Sequence, residues 1–484
     1  MLDADPRRDR LLLAATVAAV AAAQLALSWS RLHRQITTDE SFTFFATTGG
    51  VGDLMGACRA DPAMAAYYVV AFLVAHVFGS SLFVLRMFTF VLAVGVVAVV
   101  CRAAQRRGAL WVGAVAMLVT GATPIMREAV VDARAAMMAA FLAVVLLELL
   151  APMVQRVREH DHPPAQRQVL LVAALVVAVA FTHPSGMAPA GVGWLALAWL
   201  VWKGALRSLA LVGAVAVVLL VALAANALQA DSADGLVESG WAGVRDTLDL
   251  LWGGNVVVAV TTVAALAAVV AIDARRSPSA VLPATTAVVW ALGLLIAVPF
   301  VTLFVARYLV VAAVLLTLAA VACSPRRWRA GLMVGVAVAG GIGAFIARDH
   351  RPGAETRWCT VADVVQRDAR PGDVLVFPYG SSITAVMACL GVDDTTDVFG
   401  RVEVLPSLNG VDRSNPYTVW QLVVAPADLM AHAEPSSARV LVMRSGPPSP
   451  LVGEYFAAVE ANGGRCSDDL VDLQGITTCS FDGG

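Results

Sequence analysis

The stretch Leu11–Phe45, LLLAATVAAVAAAQLALSWSRLHRQITTDESFTFF, decides the reading of the whole chain. Its first part, Leu11–Ser30, is a run of about 20 mostly apolar residues, long enough as a helix to cross a bilayer core of about 30 Å. Its second part sets two acids, Asp39 and Glu40, where that helix leaves the lipid. Acids beside a membrane are rare, costly and functional by default. Arg7, Arg8 and Arg10 precede the run and hold its start inside, so Asp39 is expected to face outward. The run is longer than the h-region of a secretory signal, which favours an uncleaved first span.

Composition carries the same message along the chain. Of 484 residues, 59% are hydrophobic and only 14% charged, far from the globular norm of about 25% charged. Apolar runs recur at Leu82–Val100, Leu110–Thr123, Val130–Met153, Val169–Phe181, Met187–Trp202, Leu206–Leu228, Val256–Ile272, Ala280–Val301, Phe304–Cys323 and Ala330–Ile346. A polytopic α-helical membrane protein is the expected class. Net charge is −2, and no basic tract exceeds an Arg pair at a loop end, so nucleic acid is excluded as a partner.

Ala63–Phe78 is ambiguous by length, and the loops arbitrate. If it lies along the membrane surface, the clusters Arg102/Arg106/Arg107, Arg156/Arg158/Arg167, Lys203/Arg207, Arg275/Arg276 and Arg326/Arg327/Arg329 all fall inside. The acidic Asp231–Asp249 segment then falls outside. The positive-inside rule therefore predicts about eleven spans plus a surface helix, with the N-terminus inside and the C-terminal part outside. The same parity brings Asp39, Glu40, Asp61, Arg127, Glu128, Asp132, Arg134, His183, Arg307 and Tyr308 to one level, the outer boundary of the membrane.

From Arg348 onward the chain turns polar. Asp373–Pro378 and Arg439–Arg444 read as buried strands, and Thr360–Ala369, Ser381–Leu390 and Leu451–Asn462 as helices. Leu470–Leu473 with Thr477–Phe481 reads as a terminal hairpin. The expectation is a membrane domain over 1–347 and a small α/β domain over 348–484. Of the seven cysteines, none shows metal-ligand spacing. Outside placement permits Cys466–Cys479 and, as a second choice, Cys359–Cys389 to pair.

Five segments in this order, TTDESFTFF (37–45), ADPAMAAYYVVAFLVAHVFGSSLFVLRM (60–87), MREAVVDARAAMMAAF (126–141), FTHPSG (181–186) and FVARYLVVAAVLL (304–316), resemble the GT-C membrane glycosyltransferases. The similarity is to the protein mannosyltransferase and lipid A aminoarabinose transferase group, over roughly residues 10–325. It implies a polyprenyl-phosphate sugar donor, a catalytic acid in the first outer loop and a surface helix after it. One departure is clear: Met64, Ala65 and Ala66 stand where the family often has a Pro-Pro pair before the equivalents of Tyr67 and Tyr68.

Under that resemblance Asp39 is the general base that takes the acceptor's hydroxyl proton, a task helped by the low dielectric beside lipid. The bland alternative is helix capping by Thr37, Thr38 or Asp39, with Glu40 facing water. Asp39, Glu40 and Asp61 can also ligate a divalent cation through hard oxygens; Asp61 can instead bind the acceptor, or simply cap a helix before Pro62. Tyr67 and Tyr68 either line a sugar pocket or belong to an interfacial aromatic belt. Arg134, Arg307 and Arg127 are candidates for the lipid phosphate, since guanidinium offers planar bidentate contact; snorkelling is the alternative. Asp132 can orient Arg134 or bind the acceptor. His183 contacts phosphate or sugar, or caps a helix end, and Tyr308 accompanies Arg307. No GxGxxG or P-loop supports a nucleotide-sugar donor.

The expected activity is inverting transfer of a mannose- or arabinofuranose-type sugar to an envelope glycan, lipid or protein. It would occur at the outer face of the plasma membrane in an actinobacterial-type envelope. A protein O-mannosyltransferase is the enzymatic rival. A transporter or flippase of a lipid-linked sugar would carry its polar residues at mid-membrane within inverted repeats, and a scaffold would not need Asp39.

Overall fold

Helices with apolar surfaces dominate the structure, a computed structural model. It describes residues 6–33, 36–160, 164–203, 209–232, 282–283, 285–287, 309–322, 358–368, 373–377, 380–390, 403–405, 439–443, 450–467 and 476–481. The chain divides into two units. The first holds Met1–Leu32, Asp61–Val70 and Arg86–His350; the second holds His33–Ala60, Ala71–Leu85 and Arg351–Gly484.

In the first unit, α1 (Pro6–Leu32) opens with Pro at its first position, where the missing N–H costs nothing. The C-terminal part of α5 (Leu82–Gln105), α6 (Leu110–Ala122), α7 (Pro124–Ala129), α8 (Ala136–His160), α9 (Gln166–Ala180), α10 (Met187–Trp202), α11 (Leu209–Ser232) and α12 (Val310–Ala322) complete its described helices. Among the described residues four helices are long and apolar enough to cross a membrane: Pro6–Leu32, Leu82–Gln105, Ala136–Glu159 and Pro184–Trp202. Leu110–Ala122, Gln166–Ala180, Leu209–Ala224 and Val310–Ala322 are shorter apolar helices. The protein is a multi-pass α-helical membrane protein. The spans expected at Val256–Ile272, Ala280–Val301 and Ala330–Ile346 lie wholly or mostly outside the described residues.

Small residues let these helices meet closely. α9 and α10 pack at Gly193, where any side chain would run into Val176 and Leu146. Gln24 of α1 donates to the Met117 carbonyl of α6 at 3.1 Å. Thr120 of α6 and Thr317 of α12 share a hydrogen bond at 2.8 Å. Such bonds satisfy polar side chains that lipid would leave unsatisfied.

The second unit contains a five-stranded mixed sheet, order β2-β1-β3-β5-β4. Its strands are β1 (Val374–Val376), β2 (Glu403–Leu405), β3 (Arg439–Met443), β4 (Gly464–Ser467) and β5 (Ile476–Phe481). β1 pairs in parallel with β2 and β3, while β5 runs antiparallel to β3 and β4. Side chains alternate between faces along each strand. Leu375, Phe377 and Leu441 pack with α13 (Trp358–Asp368) and α14 (Gly380–Leu390) on one face. Val374, Val376, Val440, Val442 and Cys479 pack with Tyr455 and Val459 of α15 (Pro450–Ala461) on the other. Asp373 and Arg439 tie the starts of β1 and β3 by a two-pronged ion pair at 3.1 and 2.6 Å. Both expected disulfides are present, Cys359–Cys389 and Cys466–Cys479.

Four local expectations change. The terminal hairpin uses Gly464–Ser467 against β5; Leu470–Leu473 lies outside the described residues. The run from Val130 is not one helix, because a turn over 130–135 separates α7 from α8. The polar segment after α1 is itself helical, as α2 (Thr38–Thr48) and α3 (Val51–Ala60). Ala63–Phe78 becomes a 3-10 turn at Pro62–Met64 and then α4 (Ala65–Phe78). Fourteen residues reach about 21 Å, short of the bilayer core.

Candidate functional site

At one end of the first unit several turns come together, each started by a proline. Pro124 opens α7, and Pro184 and Pro62 open 3-10 turns, all at a first position that tolerates Pro. The end is marked by the C-terminus of α1. There Arg31 bridges Glu128 of α7 at 2.6 Å, and buried Arg86 of α5 donates to the Leu32 carbonyl at 3.0 Å. A guanidinium on a helix's last carbonyls suits the negative end of its dipole. Arg86 is therefore an internal brace for α1.

Asp61 and the two tyrosines belong to this end. Asp61 precedes the 3-10 turn, yet its side chain makes no capping hydrogen bond. Its fully buried carboxylate instead accepts from Tyr68 Oη at 2.9 Å. The simple capping reading of Asp61 is thereby replaced. Tyr67 and Tyr68 are buried too, with Tyr67 stacked on Phe88. Neither is a lipid-facing belt residue. The Ala66 amide donates to the Phe181 carbonyl at 2.9 Å, which fastens this segment beside His183.

His183 stands at the head of the turn Pro184–Gly186. Its Nδ1 accepts from the Ser185 amide at 3.2 Å and lies 2.7 Å from Ser185 Oγ. With Nδ1 as acceptor, a neutral ring carries its proton on Nε2 and presents a donor there. Gly186 is required because a Cβ would overlap the Val179 carbonyl. The turn between α7 and α8 carries Asp132 and Arg134, closed by Arg134 N donating to the Asp132 carbonyl at 2.6 Å. Arg127, largely buried, sits on α7 just before it. α8 packs against both α9 and the His183 turn, so Asp61, Tyr68, Arg127, Asp132, Arg134 and His183 share one end of the helical unit. Arg307 and Tyr308 lie outside the described residues.

Asp39 and Glu40 belong to the second unit, on α2. Thr37 is the N-cap: its hydroxyl accepts from the Glu40 amide at 3.2 Å, and Glu40 Oε2 accepts from the Thr37 amide at 3.1 Å. This is a capping box, signalled in sequence by Thr-x-x-Glu. Glu40 is fully buried instead of facing water. Asp39 sits at the second helical position, so the cap of α2 is supplied by its neighbours; its side chain lies outside the described residues. Among the described residues no group of three His, Cys, Asp or Glu could hold a metal ion.

No protein-family model matches the chain, and no curated protein matches it by sequence. Solved structures do. The fold matches that of ArnT from Cupriavidus metallidurans in the apo state at 15% identity and a TM-score of 0.51, covering 96% of this chain and 97% of that one. ArnT bound to undecaprenyl phosphate matches at 15% identity and a TM-score of 0.50, covering 99% and 100%. A weaker likeness, with a TM-score of 0.49 and 12% identity, is to the oligosaccharyltransferase AglB from Archaeoglobus fulgidus, over 90% of this chain and 69% of that one. The chain has the GT-C glycosyltransferase fold.

Proposed function

Starting from a GT-C fold, we propose that the protein transfers a sugar from a polyprenyl-phosphate donor to an envelope glycan, lipid or protein, inverting the anomeric carbon. The observation that carries the reading is the gathering of Arg127, Arg134, Asp61 and His183 at one end of a helical unit whose fold is shared with ArnT, a protein solved with undecaprenyl phosphate. A lipid phosphate needs fixed cations as it leaves, and preorganised charges stabilise it best.

In the proposed step the acceptor oxygen attacks the anomeric carbon while its proton passes to the Asp39 carboxylate. The bond from that carbon to the phosphate oxygen breaks, and its electron pair leaves with the lipid phosphate. Arg134, Arg127 and Arg307 hold the phosphate; Asp61, held by Tyr68, and Asp132 orient the acceptor. Nε2 of His183 donates to phosphate or sugar. Mannose and arabinofuranose are the proposed sugars, and a protein acceptor would make the enzyme an O-mannosyltransferase.

We place residues 348–484 on the outer side of the plasma membrane. Two disulfides in that part support this, since such bonds persist in oxidising compartments. The test incubates purified protein with a panel of polyprenyl-phosphate sugars and measures released polyprenyl phosphate. Release that depends on an acceptor is expected with one sugar of the panel. Release with none of them, under conditions where the protein stays folded, refutes the proposal.

A further inference from the structure

α2 is embedded along much of its length. Glu40, Ser41, Phe42, Thr43, Ala46 and Thr47 are all buried, which is more than one face of an 11-residue helix. Much of what buries it comes from the far end of the chain. α2 packs on α14, and Ser41 Oγ meets Thr384 Oγ1 at 3.0 Å. Ile36, just before α2, belongs to the apolar cluster of Trp358, Val361, Ile383 and Val386, with Phe44 and Phe45 packed against it. α14 in turn is bonded to α13 through Cys359–Cys389. A helix held in this way has little freedom to slide or rotate, and neither has the residue at its second position.

We propose that the C-terminal domain is the positioning device for Asp39. The disulfide-bonded pair α13–α14 docks α2 through the Thr384–Ser41 hydrogen bond and the Phe44/Phe45 contact, and so fixes the stretch of helix backbone that carries Asp39. Thr384 is then a positioning residue that acts through Ser41 on a group two residues away. The inference rests on Asp39 being the base, and it gives the extra domain a part in turnover. Because general-base transfer depends steeply on placement, loosening α2 lowers kcat and leaves donor binding alone. Reduction of Cys359–Cys389 should have the same effect.

The test uses the full-length protein and two readouts, backbone hydrogen exchange over Thr38–Thr48 and the kinetics of sugar transfer. Thr384→Val keeps the side chain's size and removes the hydroxyl. It should speed exchange in α2 about fivefold, the size expected from losing one hydrogen bond. It should lower kcat roughly tenfold with donor KM changed less than about twofold. Thr384→Ser restores both. Cys359→Ser/Cys389→Ser behaves like Thr384→Val, and reductant converts wild type to that behaviour. Cys466→Ser/Cys479→Ser leaves α2 exchange unchanged. Thr384→Val remains informative should the first cysteine pair prove necessary for folding. Unchanged α2 exchange in Thr384→Val refutes the docking. Faster exchange with an unchanged kcat refutes the positioning role. A wild type that moves no sugar refutes the glycosyltransferase reading and with it the positioning of a base, while the exchange readout still decides the docking.

Discussion

Asp39→Asn and Thr37→Ala should rank oppositely in stability and in activity. Thr37 caps α2 and receives the Glu40 amide, and Glu40 returns the bond. Thr37→Ala removes one arm of that box and should cost about 1 kcal/mol, within a range of about 0.5–2. Asp39 stands at the second helical position, within the first turn after the cap that Thr37 and Glu40 make. Its charge at the second helical position gains only the dipole term, so Asp39→Asn should cost about 0.3–1 kcal/mol. Activity runs the other way. Loss of a general base costs roughly 10²–10⁴ in rate, about 3–5 kcal/mol of barrier. Thr37→Ala should cost no more than about tenfold. Thermal unfolding of the purified variants, alongside acceptor-dependent release of polyprenyl phosphate, reads both quantities. A well-folded Asp39→Asn enzyme working at the wild-type rate refutes the assignment. So does a pair of variants whose activities simply follow their stabilities.

Other variants probe the rest of the structure. Tyr68→Phe takes a hydrogen bond from the buried Asp61 carboxylate and should lower unfolding free energy by about 1–3 kcal/mol; a variant as stable as wild type contradicts the pairing. Arg86→Met removes the donor to the Leu32 carbonyl and should destabilise by roughly 1.5–3 kcal/mol, whereas a snorkelling Arg86 would lose almost nothing. Peptide mapping without reductant should recover Cys359 with Cys389 and Cys466 with Cys479. Cys466→Ser/Cys479→Ser, opening a short loop, should cost about 3 kcal/mol.

Hydrophobic periodicity made most of the described helices legible, because a long apolar run has few ways to hide in water. α1, α5, α9 and α10 lie where their runs put them, and so do β1, β3, α13, α14 and α15. The helix Thr38–Thr48 was not legible as one. Its residues TDESFTFFATT have no clear apolar face, and their burial depends on a partner 343 residues away. Only Thr-x-x-Glu announced its start. β2, three residues long, had too little pattern to be seen. Within the site, charge parity could assign Arg127, Asp132, Arg134 and His183 only to a side of the membrane; that they stand on a short helix and on turns between longer helices shows in the structure alone. The bond from Tyr68 to Asp61 was not readable, since a tyrosine at helical spacing from an acid can equally turn away.

The span between Ser41 and Thr384 also has a consequence in time. The first loop leaves the ribosome early, but the helix it docks on is made 343 residues later. At about 5–20 residues per second that delay is roughly 20–70 s. Throughout it, Phe44 and Phe45 have none of the α13–α14 surface to cover them, and a truncated chain never supplies it. Maturation of α2 is therefore tied to completed synthesis and to closure of Cys359–Cys389, so a chain released early carries its acids on a helix with no dock.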